Sequence, residues 1–222
     1  MNQEYKYTVC TRCFTYNHAA YITEAMNGFA LQVTTFPVIT LIIDDASTDG
    51  EPDVIRRYLT DDFQTPYRED ETDDYHLICA NHKTNVNCSF AVLFLKYNHY
   101  SIKKPKLPYL AEWLDNSKYH AICEGDDYWT DSSKLQIQKE FLDSHLDYSA
   151  VATQSEKIYE SGGKGRPFSK YTKDHDWEVG KLIGGRPFHT ATIMYRPYKE
   201  LDNRPMVYSG DVSLIIPYLK IL

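Results

Sequence analysis

Two acidic clusters in the sequence each follow directly after an apolar run. Asp44 and Asp45 follow residues 38–43 (VITLII), and residues 124–127 (EGDD) follow residues 120–123 (HAIC). Because loops at the carboxyl ends of parallel strands converge on one edge of a sheet, we expect the two clusters to lie on the same edge. Carboxylates gathered there repel each other unless a divalent cation or the hydroxyl groups of a ligand lie among them. The spacing therefore predicts a ligand site, although either cluster taken alone is better explained as a turn or a helix cap.

The chemistry that this edge favours is the binding of Mg²⁺ or Mn²⁺ together with a phosphate-bearing ligand. These cations prefer carboxylate, water and phosphate oxygens, which EGDD can supply or leave room for. The formal net charge of −7 argues against nucleic acid as a partner, since no basic patch is available to neutralise its phosphates. An acidic protein can still bind a nucleotide when a divalent cation carries the positive charge.

Alternating strand and helix patterns must position these clusters. Apolar and β-branched runs predict strands over residues 7–15, 38–43, 75–80 and 119–123. Apolar residues at helical spacing predict helices around residues 22–29, 54–59, 90–97 and 135–146. This rhythm predicts an α/β fold with a Rossmann-like, mostly parallel sheet flanked by helices.

The remainder of the chain is less regular. Residues 101–116, with two prolines and three lysines, predict a surface insertion between a helix and the next strand. Residues 188–195 (FHTATIMY) alternate as a strand would. The sequence ends at Leu222 inside an apolar segment, and we expect the natural polypeptide to continue.

Cysteine usage and apolar content bear on the cellular compartment. Five cysteines, an odd number, with no secretory signal predict reduced thiols and a cytoplasmic protein. Cys10 and Cys13 form a CxxC, but an offset of three along a predicted strand places them on opposite faces, so we do not expect a metal site there. The longest apolar runs are far shorter than the ~20 residues of a membrane span.

Three blocks of the sequence together resemble a known enzyme family. They are residues 14–32 (FTYNHAAYITEAMNGFALQ), residues 38–55 (VITLIIDDASTDGEPDVI) and residues 121–142 (AICEGDDYWTDSSKLQIQKEFL). In this order and at these separations they resemble glycosyltransferase family 2, whose bacterial members have the nucleotide-binding GT-A fold. The resemblance covers residues 5–150 well and the remainder loosely.

The resemblance implies a role for residues at the ends of the first two strands. Thr15 and Tyr16 correspond to positions that line the pocket for the nucleotide's base. Asp45 corresponds to the acidic residue that hydrogen-bonds the base, and Asp44 is its neighbour in the nucleotide site. Residues 83–87 (KTNVN) fall where the family has a loop that helps to hold the donor.

The third block carries the metal site by the same resemblance. Asp126 and Asp127 correspond to the carboxylates that bind the metal and the ribose, with Asp127 the direct metal ligand. Glu124 occupies the family's first Asp position and keeps its charge, with one more methylene. Trp129 follows this motif and either stacks on a sugar or packs in the core.

Two residues late in the chain are candidates for the acceptor side. Asp211 in YSGDVSL falls loosely where the family has its catalytic base, and it would equally serve as an N-cap for the apolar stretch that follows. His189 is expected near the acceptor, as a binding group or a supporting one, or else as a satisfied buried histidine.

These observations predict a single domain over residues 1–222, with a nucleotide-sugar-binding half to about residue 128 and an acceptor-binding half over about 129–222. The predicted function is an inverting, metal-dependent glycosyltransferase in bacterial surface polysaccharide synthesis. It would use a nucleotide-diphosphate sugar, with UDP-sugars favoured, and a glycan or lipid-linked acceptor, in the cytoplasm or at the inner face of the membrane. The alternatives are a nucleotidyltransferase, which would want a Gly-rich phosphate loop that TYNHAAY lacks, and a non-catalytic sugar- or nucleotide-binding protein.

Overall fold

A central sheet of eight strands organises the molecule, for which a computed structural model describes residues 4–161, 165–169 and 188–197. The strands of this sheet are β1 (Tyr7–Thr15), β2 (Val38–Asp44), β3 (Arg68–Glu71), β4 (Tyr75–Asn81), β5 (Cys88–Leu95), β6 (Ser117–Ile122), β7 (Ala150–Ala152) and β10 (Ile193–Tyr195). Two short strands, β8 (Glu156–Lys157) and β9 (Arg166–Pro167), pair separately. The β-branched run of β2 is buried along its whole length, which is why it lies in the middle of the sheet.

The strand order is β3-β4-β5-β2-β1-β6-β10-β7. The four central strands β5, β2, β1 and β6 are parallel to one another. Only β4 and β10 run in the opposite direction within this sheet, since each pairs antiparallel with both of its neighbours. The predicted α/β class with a mostly parallel sheet flanked by helices is confirmed.

Helices cover both faces of the sheet. They are α1 (Ile22–Ala30), α2 (Glu51–Asp62), α3 (Ala111–Leu114) and α4 (Lys134–Ser144), with 3-10 helices at Leu107–Leu110 and Thr190–Thr192. The larger core lies under α1, α2 and α4, where Met26, Ile55 and Leu135 are buried. The smaller core on the other face is closed by Leu110 and Trp113. Among the helices that the structure describes, none is long and apolar enough to cross a membrane.

One predicted element is wrong, and a second is only partly right. The helix expected around residues 90–97 is strand β5, which lies between β2 and β4. A short apolar run (FAVLFL) fits helical spacing and a strand buried on both faces equally well, and the burial on both faces is what the sheet provides. The predicted surface insertion at 101–116 also contributes to the core, because its second half carries Leu110 and Trp113.

The other predicted helices and strands are present with adjusted bounds. The strand expected over residues 188–195 is shorter: a 3-10 helix at Thr190–Thr192 precedes β10. Cys10 and Cys13 do lie on opposite faces of β1, in the smaller and the larger core respectively.

Candidate functional site

Both acidic clusters lie at the carboxyl edge of the parallel strands, as the sequence predicts. Asp44 is the last residue of β2 and is in register with Thr15 at the end of β1. Residues 124–127 follow β6 on the other side of β1, and the backbone N–H of Gly125 donates to the carbonyl of Phe14 at 3.1 Å. The end of β1 therefore lies between the two clusters.

The acidic loop, residues 124–127, faces two histidines. His189 Nδ1 lies 3.5 Å from Asp127 Oδ2, and His18 Nε2 lies 4.0 Å from Asp126 Oδ2. Burial raises the pKa of the Asp127 carboxyl, with the neighbouring Asp126 adding to the rise and His189 opposing it. Negative charge at Asp127 is thus costly in the protein by itself, and a bound cation would relieve that cost.

The side chains at this loop are of types that bind divalent cations, and they form two separate carboxylate–imidazole pairs. Among the described residues, no three carboxylate, imidazole or thiol groups already converge on one point as ligands. Adjacent ligand atoms around an octahedral Mg²⁺-sized ion are about 3 Å apart, because each lies about 2.1 Å from the ion. The 3.5 Å and 4.0 Å separations are wider than this, so the side chains as they stand do not form a closed coordination shell. Carboxylate oxygens are the ligands that Mg²⁺ and Mn²⁺ prefer, and imidazole nitrogens bind many divalent transition metals.

Glu51 also lies at the carboxyl edge of the sheet, and the sequence does not indicate its place in the site. Its side chain is fully buried at the first residue of α2. It accepts hydrogen bonds from the Thr15 hydroxyl, from the His18 backbone N–H at 2.9 Å and from the Ser47 hydroxyl at 2.8 Å. An acidic residue in the first turn of a helix normally indicates only a favourable interaction with the helix dipole, so its contacts with Thr15 and His18 were not predicted.

Three further predicted site residues differ in exposure. Thr15 is buried and bonded to Glu51, whereas Tyr16 is exposed at the loop that follows β1. Glu124 is exposed at the start of the acidic loop, and its carbonyl accepts the backbone N–H of Asp127 at 3.1 Å. These positions leave Tyr16 and Glu124 accessible to a ligand.

The Asp45 carboxylate is already hydrogen-bonded within the protein. Its carboxylate accepts the backbone N–H groups of His99 at 2.7 Å and Tyr100 at 3.1 Å, and the Lys106 ammonium at 2.6 Å. The side chain is 3% exposed. It therefore ties the loop after β5 to the end of β2, a role that the sequence did not indicate.

Asp44 lies deeper than its neighbour. Its carboxylate accepts the Ser47 backbone N–H at 3.3 Å and is 1% exposed. Burial raises the pKa of Asp44 to about 6, with the bond from Ser47 opposing the rise and the nearby Glu51 adding to it.

A cavity of about 750 Å³ opens beside Asp45, between the end of β1 and the loop after β5. Phe14 and His99 line it together with Lys103 and Lys106. Its aromatic and basic lining is suited to a group that combines a flat ring with negative charge.

Two buried hydrogen bonds hold the segment that carries His189. Trp129 is buried against Phe29, and its indole N–H donates to the carbonyl of Ala191 at 2.6 Å. Of the two interpretations of Trp129, the structure has core packing. Gln138 donates to the carbonyl of Thr192 at 2.8 Å. His189 is half-buried beside Asp127, at the start of the 3-10 helix rather than on a strand.

Two predictions fall elsewhere. Asp211 lies outside the described residues. The loop at residues 83–87 precedes β5, so it lies at the amino edge of the parallel strands, opposite the acidic loop. There Asn85 Nδ2 donates to the carbonyls of Ala30 and Gln32, which makes it a structural connection; its assignment as a donor-holding loop is wrong because of this position.

No family model matches the sequence. Uncharacterized proteins of Mycobacterium bovis and Mycobacterium tuberculosis are 32% identical over 191 residues, which is 86% of this chain and 47% of theirs. The chain thus spans about half the length of the curated relatives it matches.

Solved structures share the fold. Residues 1–349 of S. aureus TarS, in complex with UDP-GlcNAc, align with a TM-score of 0.55 and 21% identity over 85% of this chain and 45% of that fragment. The mannosyltransferase PcManGT of Pyrobaculum calidifontis, in complex with GDP-Man and Mn²⁺, aligns with a TM-score of 0.56 and 15% identity over 97% of this chain and 52% of its own. The α/β fold described here is therefore one that known glycosyltransferases use.

Proposed function

We propose that this chain is the catalytic domain of an inverting, metal-dependent glycosyltransferase that takes its sugar from a nucleotide-diphosphate donor. The observation that carries the proposal is the half-exposed acidic loop at the carboxyl edge of the sheet, flanked by two histidines, in a fold that known glycosyltransferases share. Ligands of open α/β sheets bind at this edge. Because fold alone does not determine function, the residues of the site carry the proposal.

The donor class follows from the chemistry of the edge. TarS was solved with UDP-GlcNAc and PcManGT with GDP-Man and Mn²⁺, so both nucleotide-sugar types are represented among proteins of this fold. We assign Asp127 and Asp126 as the residues that hold Mn²⁺ or Mg²⁺, which would neutralise the charge of the departing nucleotide diphosphate. The nucleobase of the donor would lie at the ends of β1 and β2, near Thr15, Tyr16 and the cavity beside Asp45.

Inverting transfer exchanges one bond at the sugar for another. The acceptor hydroxyl oxygen forms a bond to the anomeric carbon from the face opposite the leaving group. The bond from that carbon to the diphosphate oxygen breaks, and its electron pair leaves with the nucleotide diphosphate. The acceptor proton goes to a base on the acceptor side, for which we propose Asp211.

A thermal-shift panel of UDP- and GDP-sugars, with and without Mn²⁺, tests donor binding directly, because a ligand raises stability by RT ln(1 + [L]/Kd). We expect a shift only when nucleotide sugar and Mn²⁺ are both present. Release of UDP or GDP in the presence of glycan acceptors then tests turnover. Binding without turnover would favour the non-catalytic alternative, and no shift with any nucleotide sugar would overturn the proposal.

Asp211→Asn tests the proposed base. If Asp211 takes the acceptor proton, the variant keeps donor and metal binding and loses about 10²–10⁴ in transfer rate. If Asp211 is an N-cap, Asn replaces it at little cost in stability, since the two residues cap about equally well. Near-normal transfer by a stable variant removes Asp211 from the mechanism. The measurement belongs in the full-length protein.

The wider role is proposed on the same basis. Residues to about 128 would form the donor half, and residues from about 129 the acceptor half. A glycan or lipid-linked acceptor at the inner face of the membrane, in bacterial surface polysaccharide synthesis, fits such an enzyme.

A further inference from the structure

His18 lies between the end of β1 and the acidic loop. Its Nδ1 is 3.2 Å from the Thr15 hydroxyl, and its Nε2 is 4.0 Å from Asp126 Oδ2. Its side chain is 27% exposed, so the ring is held by the protein but reachable from the site. Neither the fold nor the acidic motif assigns a role to this residue.

The hydrogen bonds behind His18 define which ring nitrogen is available. The Thr15 hydroxyl donates its one hydrogen to Glu51, because a carboxylate can only accept. The Thr15 oxygen must then accept from His18 Nδ1–H, so Nδ1 carries a hydrogen and is directed into the protein. Nε2 is therefore the nitrogen that faces Asp126.

Packing keeps this arrangement close to the acidic loop. A Cβ built on Gly125 would lie 2.6 Å from Thr15 Cβ and 3.1 Å from His18 Nδ1, so the loop approaches both residues because position 125 has no side chain. Glu51 also accepts the backbone N–H of His18 at 2.9 Å, which fixes the backbone on which the ring is mounted.

We propose that His18 Nε2 is a nitrogen ligand for the divalent cation at Asp126 and Asp127, and that Glu51 and Thr15 are positioning residues that orient the ring for it. The inference rests on the proposed function, which supplies the cation. A histidine that binds a metal commonly donates its other ring N–H to a neighbouring acceptor, which sets both its tautomer and its orientation. Here the Thr15 oxygen is the acceptor for His18 Nδ1–H, and Glu51 orients the Thr15 hydroxyl.

Pulsed EPR of Mn²⁺ tests the ligand without any activity measurement. A coordinated imidazole nitrogen couples to the Mn²⁺ electron spin, whereas carboxylate, phosphate and water oxygens give no nitrogen coupling. His189 also faces the acidic loop, so the experiment uses His189→Gln protein with Mn²⁺ and UDP. We expect a nitrogen coupling there that disappears when His18→Gln is added, with a fall of about 10-fold in Mn²⁺ affinity. His145→Gln, at the exposed position directly after α4, is the matched control.

Thr15→Val and Thr15→Ser separate positioning from bulk structure. Valine keeps the shape but cannot bridge Glu51 and His18, so we expect a weaker nitrogen coupling and lower Mn²⁺ affinity. Serine keeps the hydroxyl and should restore both. Glu51→Gln is the second test of the same pair, for the case in which the valine variant does not fold.

The outcomes separate this inference from the proposed function. Mn²⁺ that binds with no nitrogen coupling, or a coupling unchanged by His18→Gln, overturns the role of His18 and leaves donor binding intact. Failure of Mn²⁺ to bind with UDP overturns the metal dependence as well. A valine variant with an unchanged coupling overturns the positioning role of Thr15 and Glu51.

Discussion

Asp45 and the Asp126–Asp127 pair lie on one edge of one sheet, yet the protein treats their charges in opposite ways. Asp45 is 3% exposed and is neutralised by Lys106 at 2.6 Å, with two backbone N–H groups completing its hydrogen bonds. Asp126 and Asp127 are 51% and 34% exposed, and the groups beside them are histidines at 4.0 Å and 3.5 Å. One carboxylate is neutralised by a lysine, whereas the other two have histidines as their charged neighbours in the described part of the chain.

The difference teaches that an acidic motif at a strand end does not by itself identify a ligand site. What matters is whether another part of the chain brings a cation to it. The loop after β5 does so for Asp45, and among the contacts of the described residues no lysine or arginine does so for Asp126 or Asp127. A base contact by Asp45 would have to form beside, or in exchange for, its contact with Lys106.

The largest expected effect is on stability at Asp45. Asp45→Ala removes the acceptor for Lys106 and for two buried N–H groups, and breaking a buried pair in this way costs about 3 kcal/mol of unfolding free energy. Urea denaturation measures it. Asp126→Ala is the control, and as an exposed site it should change stability by less than about 0.5 kcal/mol.

The preference among nucleotides shows whether Asp45 also contacts the nucleobase of the donor. If Asp45 also contacts the nucleobase, Asp45→Ala should flatten the preference among UDP, GDP and CDP in addition to lowering the stability. Lys106→Met distinguishes the cases further, because it perturbs the loop after β5 without removing the carboxylate.

The second effect is on ligand affinity at Asp127. Asp127→Ala should weaken Mn²⁺-dependent UDP binding by about 100-fold, which is about 2.7 kcal/mol. Stability should not fall, because burial already raises the pKa of Asp127 and its charge is costly in the folded protein. Calorimetry with UDP and Mn²⁺ gives the affinity. Asp61→Ala, on the exposed face of α2, is the control, and an unchanged affinity in Asp127→Ala would remove the metal assignment.

A third effect is expected at Gly125, whose missing side chain lets the acidic loop pack on Thr15 and His18. A methyl group there must displace the loop or its neighbours, at about 2 kcal/mol of stability. Gly125→Ala should therefore lower both the unfolding free energy and the Mn²⁺ affinity, since the carboxylates move with the loop. A variant with normal stability and normal Mn²⁺ affinity would show that the close packing has no bearing on the site. Gly50→Ala is not a suitable control because Gly50 has a φ of 91°.

The position of both acidic clusters at one edge of the sheet could be predicted because strands are recognisable from short stretches of sequence. The run at 38–43 is β-branched and continuous, so its burial and the position of Asp44 at its end follow from neighbouring residues alone. The same local reasoning failed at 90–97, where helical spacing and a fully buried strand look alike and only the partners β2 and β4 decide.

The contacts within the site could not be predicted in this way. Lys106 meets Asp45 across 61 positions of the chain, and Glu51 meets Thr15 across 36. Which carboxylate is neutralised and which is exposed depends on these long-range contacts. The spacing identified the sheet edge and its residue types, whereas tertiary packing determines which carboxylates are neutralised and which are exposed.

The smallest effect concerns Asp44, which resembles neither case, because it is buried like Asp45 but has no lysine or arginine among the partners described for it. Its pKa is raised to about 6, above the unfolded value of about 3.9. The folded protein therefore holds the proton more tightly than the unfolded chain between these values, so this group's contribution to stability falls as pH rises through that window. From pH 5 to pH 7 the loss should be about 1 kcal/mol. Asp44→Asn keeps an oxygen to accept the Ser47 N–H but cannot ionise, so urea denaturation at the two pH values should show a smaller decline than in the parent protein. Asp126→Asn, at an exposed site, should keep the parent's decline. If Asp44→Asn declines as steeply as the parent, Asp44 is neutralised by a contact like that of Asp45, and the distinction between neutralised and uncompensated carboxylates fails at this position.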